Sequence, residues 1–133
     1  MTFVQQSKET IKKKLTLLLR HDEIGMTKDQ YLRMVEQTGE EIDWDRCPPE
    51  WEDFPTSVET SMHIFNNLGD KVYPEVGYIG KDFTNLEILY KFHNVEEKTE
   101  KEWIFELLLH LESDTIAKSQ RKIKAEYDKI KKK

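Results

Sequence analysis

The stretch from Thr99 to Ile130 reads TEKEWIFELLLHLESDTIAKSQRKIKAEYDKI. In its first half Trp103, Ile104, Leu107, Leu108 and Leu111 recur at the three- and four-residue spacing that gathers side chains on one face of an α-helix. Its second half thins to Ile116, Ile123, Tyr127 and Ile130. Ile116, Ile123 and Ile130 are seven apart, a single heptad line rather than a full a/d seam. Such a line is too sparse to bury itself in a monomer's core. The stretch therefore predicts a long last helix whose first half is core and whose second half docks onto something else.

Working back from this helix, start signals recur. A capping box places Ser or Thr three residues before Glu or Gln, each side chain satisfying a backbone N–H that the first helical turn leaves bare. Thr27 with Gln30, Thr56 with Glu59, Thr84 with Glu87 and Thr99 with Glu102 fit that pattern. An earlier helix has Ser7 as N-cap and Ile11, Leu15 and Leu18 on one face, stopping between Asp22 and Gly25. The helix from Thr27 ends at Gly39, a C′ glycine. Cys47 to Pro55 holds three prolines and cannot be helical, and Trp51 and Phe54 pin it to the body. The helix from Thr56 presents Val58, Met62, Phe65 and Leu68 and stops at Gly69. Asp70 to Asp82 reads as a short strand or packed loop, and Thr84 to His93 as another helix.

The expected fold is thus mainly α: a small bundle of about five helices with a Pro-rich loop, a long C-terminal helix and little or no sheet. The expected organisation is an N-terminal helix over residues 1–25, a compact helical core over 26–115, and a basic, protruding helix end over 116–133. A chain of 133 residues supports one modest core. Charged residues, at 35%, nearly match the 37% that are hydrophobic, which suits elongated, solvated helices beside that core.

Charge is unevenly spread within the net −5. Glu36 to Asp53 is acidic, with Arg46 its one cation, whereas Lys118, Arg121, Lys122, Lys124 and Lys129 form a basic patch on the last helix. These segments have the signs to attract each other or a partner at low salt. No run approaches the ~18 apolar residues of a membrane span, and the first residues do not read as a signal peptide. A single cysteine excludes an internal disulfide and suits a reducing cytoplasm.

Candidate chemistry is thin. Gly77 to Asp82 invites a phosphate-loop reading, but Glu75 stands where the first glycine of a Walker loop belongs, and Asp82 follows Lys81. Two carboxylates there repel phosphate, and the glycines read as a turn. His21, His63, His93 and His110 have no His or Cys partner at helical spacing, so no metal site is expected. Cys47 has acidic neighbours, which raise a thiol pKa. No cofactor and no catalytic constellation is expected, which points away from an enzyme.

Pro48-Pro49-x-x-x-Asp53-Phe54-Pro55 precedes a helix reading Val58-x-x-x-x-His63-Ile64-Phe65-Asn66-x-Leu68, followed by Gly80-Lys81-Asp82. The combination resembles a group of small proteins of T-even-type tailed phages, encoded among tail and baseplate genes. The resemblance runs from about Met26 to the C-terminus and leaves the preceding residues outside it. It implies a non-catalytic chaperone for tail or baseplate-hub assembly, working in the cytoplasm of the infected host. The implied partner is another phage structural protein, of hub or tape-measure type. Ile116, Ile123, Tyr127 and Ile130 are the expected contact residues, with Trp51, Phe54, Tyr78 and Tyr90 as a second patch. Two other readings stay open: a nucleic-acid-binding accessory using the Lys-rich helix, and a host-directed phage inhibitor. No membrane partner is expected, and a homo-oligomer is compatible with the sequence.

Overall fold

The computed structural model describes residues 3–20, 26–44 and 46–131, with the side chains of residues 3–7 outside the description. The expected end of the first helix near Asp22 to Gly25, and His21, lie outside the described residues. The chain divides into two compact units, Met1–Pro55 and Thr56–Lys133. The division falls in the Pro-rich loop, where three prolines halt regular structure, within the stretch 26–115 expected as the core.

The first unit holds α1 (Phe3–Leu19), α2 (Lys28–Thr38) and a single 3-10 turn at Trp51–Asp53. Ser7 lies inside α1 and is not its N-cap, because the helix already runs from Phe3. α2 has the expected start: Gln30 N–H donates to the Thr27 hydroxyl at 3.3 Å, and Thr27 N–H donates to the Gln30 side chain at 2.9 Å. It ends at Gly39 with φ +70°, a left-handed position that glycine takes without strain. Tyr31, Val35 and Cys47 form a buried cluster joined by Met26 and Leu32. The Tyr31 hydroxyl donates to the Asp43 carbonyl at 3.2 Å and accepts from Asp43 N–H at 3.1 Å, tying the acidic loop to α2.

The second unit holds α3 (Thr56–Asn67), β1 (Gly69–Tyr73), β2 (Gly77–Asp82), α4 (Leu86–Phe92) and α5 (Lys98–Lys131). Its core consists of Val58, Ile64, Phe65, Leu68, Tyr90, Val95, Ile104, Leu107, Leu108 and Leu111. α3 and α4 pack against each other, and α5 packs on α3 and β2. Two of its buried or part-buried polar contacts join α3 to α5 and close a turn of α3: Trp103 Nε1 donates to Ser57 Oγ at 3.1 Å, and the fully buried Ser61 hydroxyl donates to Ser57 O at 2.7 Å.

Of the remaining start signals, Thr56 is the first residue of α3, and Thr99 already lies within α5. Thr84 is not the cap of α4. The Asp82 carboxylate accepts both the Thr84 N–H at 3.0 Å and the Thr84 hydroxyl at 2.5 Å, and α4 starts only at Leu86. That helix ends in a Schellman motif. Asn94 takes φ 58°, Val95 N–H donates to Tyr90 O at 2.8 Å, and Asn94 N–H donates to Lys91 O at 3.2 Å.

The one sheet of the described residues is an antiparallel hairpin, β1 with β2. Pro74 follows Tyr73 at the first corner of its turn, Val76 N–H donates to Tyr73 O at 3.2 Å, and Gly77 leaves the turn at φ +87°.

Candidate partner-binding surfaces

The hairpin clasps the middle of α5, and two glycines permit the approach. A Cβ on Gly77 would stand 2.7 Å from Ile123 Cδ1, and one on Gly80, at φ +140°, would stand 2.9 Å from Glu112 Oε2. Because Gly80 has no side chain, Glu112 reaches over it and accepts the Lys81 N–H at 2.8 Å. Lys81 itself is buried. Its ammonium pairs with Asp70 at 2.7 Å, donates to Leu68 O at 3.2 Å and lies 4.5 Å from the centre of the Phe65 ring. The three residues of Gly80-Lys81-Asp82 are thus all structural. The first permits the close approach, the second closes the base of the hairpin, and the third holds the turn before α4.

Past this clasp α5 is bare. All ten residues from Lys122 to Lys131 are exposed. The expected contact line is therefore divided. Ile116 is half-buried, and Ile123 is 45% exposed with its tip against Gly77. Tyr127 and Ile130 are 60% and 70% exposed. Ile123, Tyr127 and Ile130 share one helix face by their spacing of four and seven, flanked on one side by Lys124 and Lys131. Lys118, Lys122 and Lys129 share the opposite face at the same spacing, with Arg121 beside them. The Lys129 ammonium also reaches Glu126 at 3.5 Å, and Lys131 lies 5.0 Å from the Tyr127 ring centre.

Tyr78, the contact residue expected on the hairpin, is half-buried, and its hydroxyl is enclosed without a hydrogen-bond partner. Burial first, then the nearby Asp70 and Glu112 carboxylates, push its pKa up to about 12. Tyr90 is core, its hydroxyl donating to Lys101 O at 3.0 Å. The outer face of α4 instead exposes Ile88 and Phe92 at 66% and 77%.

In the first unit Trp51 and Phe54 do come together, with ring centres 6.0 Å apart. Trp51 does not pin the loop, being 48% exposed. It walls a cleft of about 510 Å³ whose apolar lining includes Leu18, Met26, Pro48 and Pro49. Asp29, Glu50 and Glu52 line it as well. The cation among its lining residues, Lys28, is matched by Asp53 at 3.0 Å. The Asp53 carboxyl is held below its ordinary value, first by the Glu50 N–H it accepts and then by Lys28. Glu50 is pushed above its ordinary value, chiefly by desolvation and next by the neighbouring charge of Glu52. Behind the prolines a smaller hollow of about 190 Å³ is lined by Lys14, Trp44 and Cys47. Burial, more than acidic neighbours, raises the Cys47 thiol. The cleft escaped a reading by periodicity because it joins α1, the start of α2 and the Pro-rich loop.

No group of three or more His, Cys, Asp or Glu suited to a metal ion occurs among the described residues. His63 and His93 approach with ring centres 6.1 Å apart. No helix of the described residues is long and apolar enough to cross a membrane. Comparison with protein-family models, curated proteins and solved structures gives no match to this chain.

Proposed function

We propose that this protein is a non-catalytic assembly factor that grips another protein with the bare end of α5. The observation that carries the reading is the run of ten exposed residues at the end of α5, all but the first two beyond the hairpin clasp, with Tyr127 and Ile130 on one face. A helix that continues for roughly three turns without covering its own apolar face is shaped to lie in a partner's groove. The resemblance in the Pro-rich loop, α3 and the Gly-Lys-Asp turn adds the finer reading: a phage tail or baseplate-hub chaperone, with a hub or tape-measure protein as its client.

The test is co-expression with hub and tape-measure proteins, followed by capture with full-length chain and with Tyr127→Glu/Ile130→Glu. Both substitutions fall on exposed positions beyond the clasp, so the fold persists and capture is lost. Undiminished capture by the doubly substituted chain sinks the docking-helix reading. A second reading, nucleic-acid binding, is favoured by the alignment of Lys118, Lys122 and Lys129 on the face opposite Tyr127. It predicts DNA or RNA affinity that falls steeply with salt and survives Tyr127→Glu/Ile130→Glu. Absence of binding at low salt ends it.

A further inference from the structure

The cleft of the first unit and the bare end of α5 are complementary. The cleft is lined by apolar Leu18, Met26 and Trp51 and by three carboxylates, Asp29, Glu50 and Glu52, against one cation, Lys28, which already pairs with Asp53. The end of α5 offers Tyr127 and Ile130 as apolar plugs, with Lys124 and Lys131 beside them. We infer that the chain self-associates, the basic end of α5 of one copy entering the acidic, Trp51-walled cleft of a second copy.

Three features support this. The cleft's volume falls in the range of pockets that take up a small ligand or a few side chains. Glu50 is disfavoured as an anion by desolvation and by Glu52, so an arriving ammonium relieves a repulsion already present. An ammonium stem lying on the open face of Trp51 adds a cation–π contact. The contact is heterologous, a helix end against a cleft, and a mass near twice that of the chain marks two such contacts closing into a pair. This self-association goes beyond the proposed function and holds whoever the client is. A client that binds Tyr127 and Ile130 competes with it.

The experiment is sedimentation analysis of the full chain at about 100 µM, between about 50 mM and about 500 mM salt. It is repeated with Glu50→Lys/Glu52→Lys and with Lys124→Glu/Lys131→Glu. All four positions are exposed, and far-UV circular dichroism checks that both variants keep the helical fold. The expected result is a mass near twice the 15.9 kDa of the chain at low salt, falling to the monomer at high salt. Each variant alone is expected to be monomeric, because its own surfaces then carry like charges. An equimolar mixture of the two restores association, since reversed cleft meets reversed helix end.

A monomeric wild-type chain at low salt overturns the inference. So does association that neither variant weakens, or a mixture that fails to restore it. A salt-dependent change in tryptophan fluorescence that is absent from Trp51→Phe and does not vary with concentration also overturns it, since the helix end would then be seated in its own molecule.

Discussion

Gly80→Ala tests the clasp on which the bare helix end depends. The substitution acts twice. Gly80 has φ +140°, in a region that L-residues rarely enter, and imposing a side chain there costs about 1–3 kcal/mol. The new Cβ would also meet Glu112 Oε2 at 2.9 Å and its carboxyl carbon at 3.2 Å. A carboxylate at the end of a side chain can move, so the steric contact alone is cheap. What is lost by moving is the bond from Lys81 N–H, at 2.8 Å and part-buried. Stranding that amide costs about 1–3 kcal/mol. The expected loss is therefore about 2–4 kcal/mol, the two contributions overlapping if the backbone relaxes.

Urea and thermal unfolding followed by circular dichroism measure it, at roughly 4–8 °C per kcal/mol for a unit of this size. Glu112→Ala alone strands the same amide, for about 1–3 kcal/mol. If the alanine acts by displacing Glu112, the double variant Gly80→Ala/Glu112→Ala costs less than the sum by about 1 kcal/mol or more. Additivity within about 0.5 kcal/mol refutes the reasoning, as does a Gly80→Ala variant indistinguishable from the parent.

Three further outcomes are expected. Tyr78→Phe removes an enclosed hydroxyl that has no partner, so urea unfolding at neutral pH should show stability unchanged or up to about 1 kcal/mol higher. In the parent, Tyr78 ionises at about 12 when folded against an ordinary 10.0; its raised value makes the contribution complete below pH 10.0 and lost as pH rises through about 12. Absorbance titration of the phenolates should lose its latest step in Tyr78→Phe. Cys47 is buried with a raised thiol, so alkylation near pH 8 should be more than about tenfold slower in the folded chain than in urea. Asn94→Val places a β-branched residue at φ 58° and should lower the melting temperature for a loss of about 1–2 kcal/mol, whereas Asn94→Gly should stay within about 0.5 kcal/mol.

The long last helix was legible because its apolar residues keep helical spacing through Leu111, and those residues are the core of the second unit. The capping boxes were legible only in part. Thr27 caps as its spacing says, but at Thr84 a carboxylate two residues upstream takes the amide first, a competition that a four-residue pattern does not contain. The hairpin was half-legible: Pro74 and Gly77 carry the turn, yet the residues that hold it down are Glu112, Ser119 and Ile123, over thirty positions away. The same distance hid the cleft, whose walls come from α1 and the Pro-rich loop. The Gly-Lys-Asp element looked distinctive because three demands fall on adjacent residues, and all three are structural.

The divided contact line also limits how the proposed grip can work. Ile116 and the tip of Ile123 are already engaged within the second unit, which leaves Tyr127 and Ile130 as the large apolar side chains free to bury. Fully burying two such side chains gains roughly 3–6 kcal/mol. Association costs at least about 4 kcal/mol in lost translational and rotational freedom. The helix end alone therefore nets at most about 2 kcal/mol, a Kd of roughly 30 mM. A useful grip needs a second contribution. Charge supplies one, through Lys124 and Lys131 beside the apolar face, and this part weakens with salt. A second surface supplies the other, and Phe92 and Ile88 of α4, at 77% and 66%, are the most exposed large apolar side chains of the same unit outside α5. Phe92→Ala should accordingly weaken client capture together with Tyr127→Ala by more than either alone, measured as capture at matched protein concentration. If Phe92→Ala has no effect on capture at any salt, charge rather than a second apolar contact completes the grip.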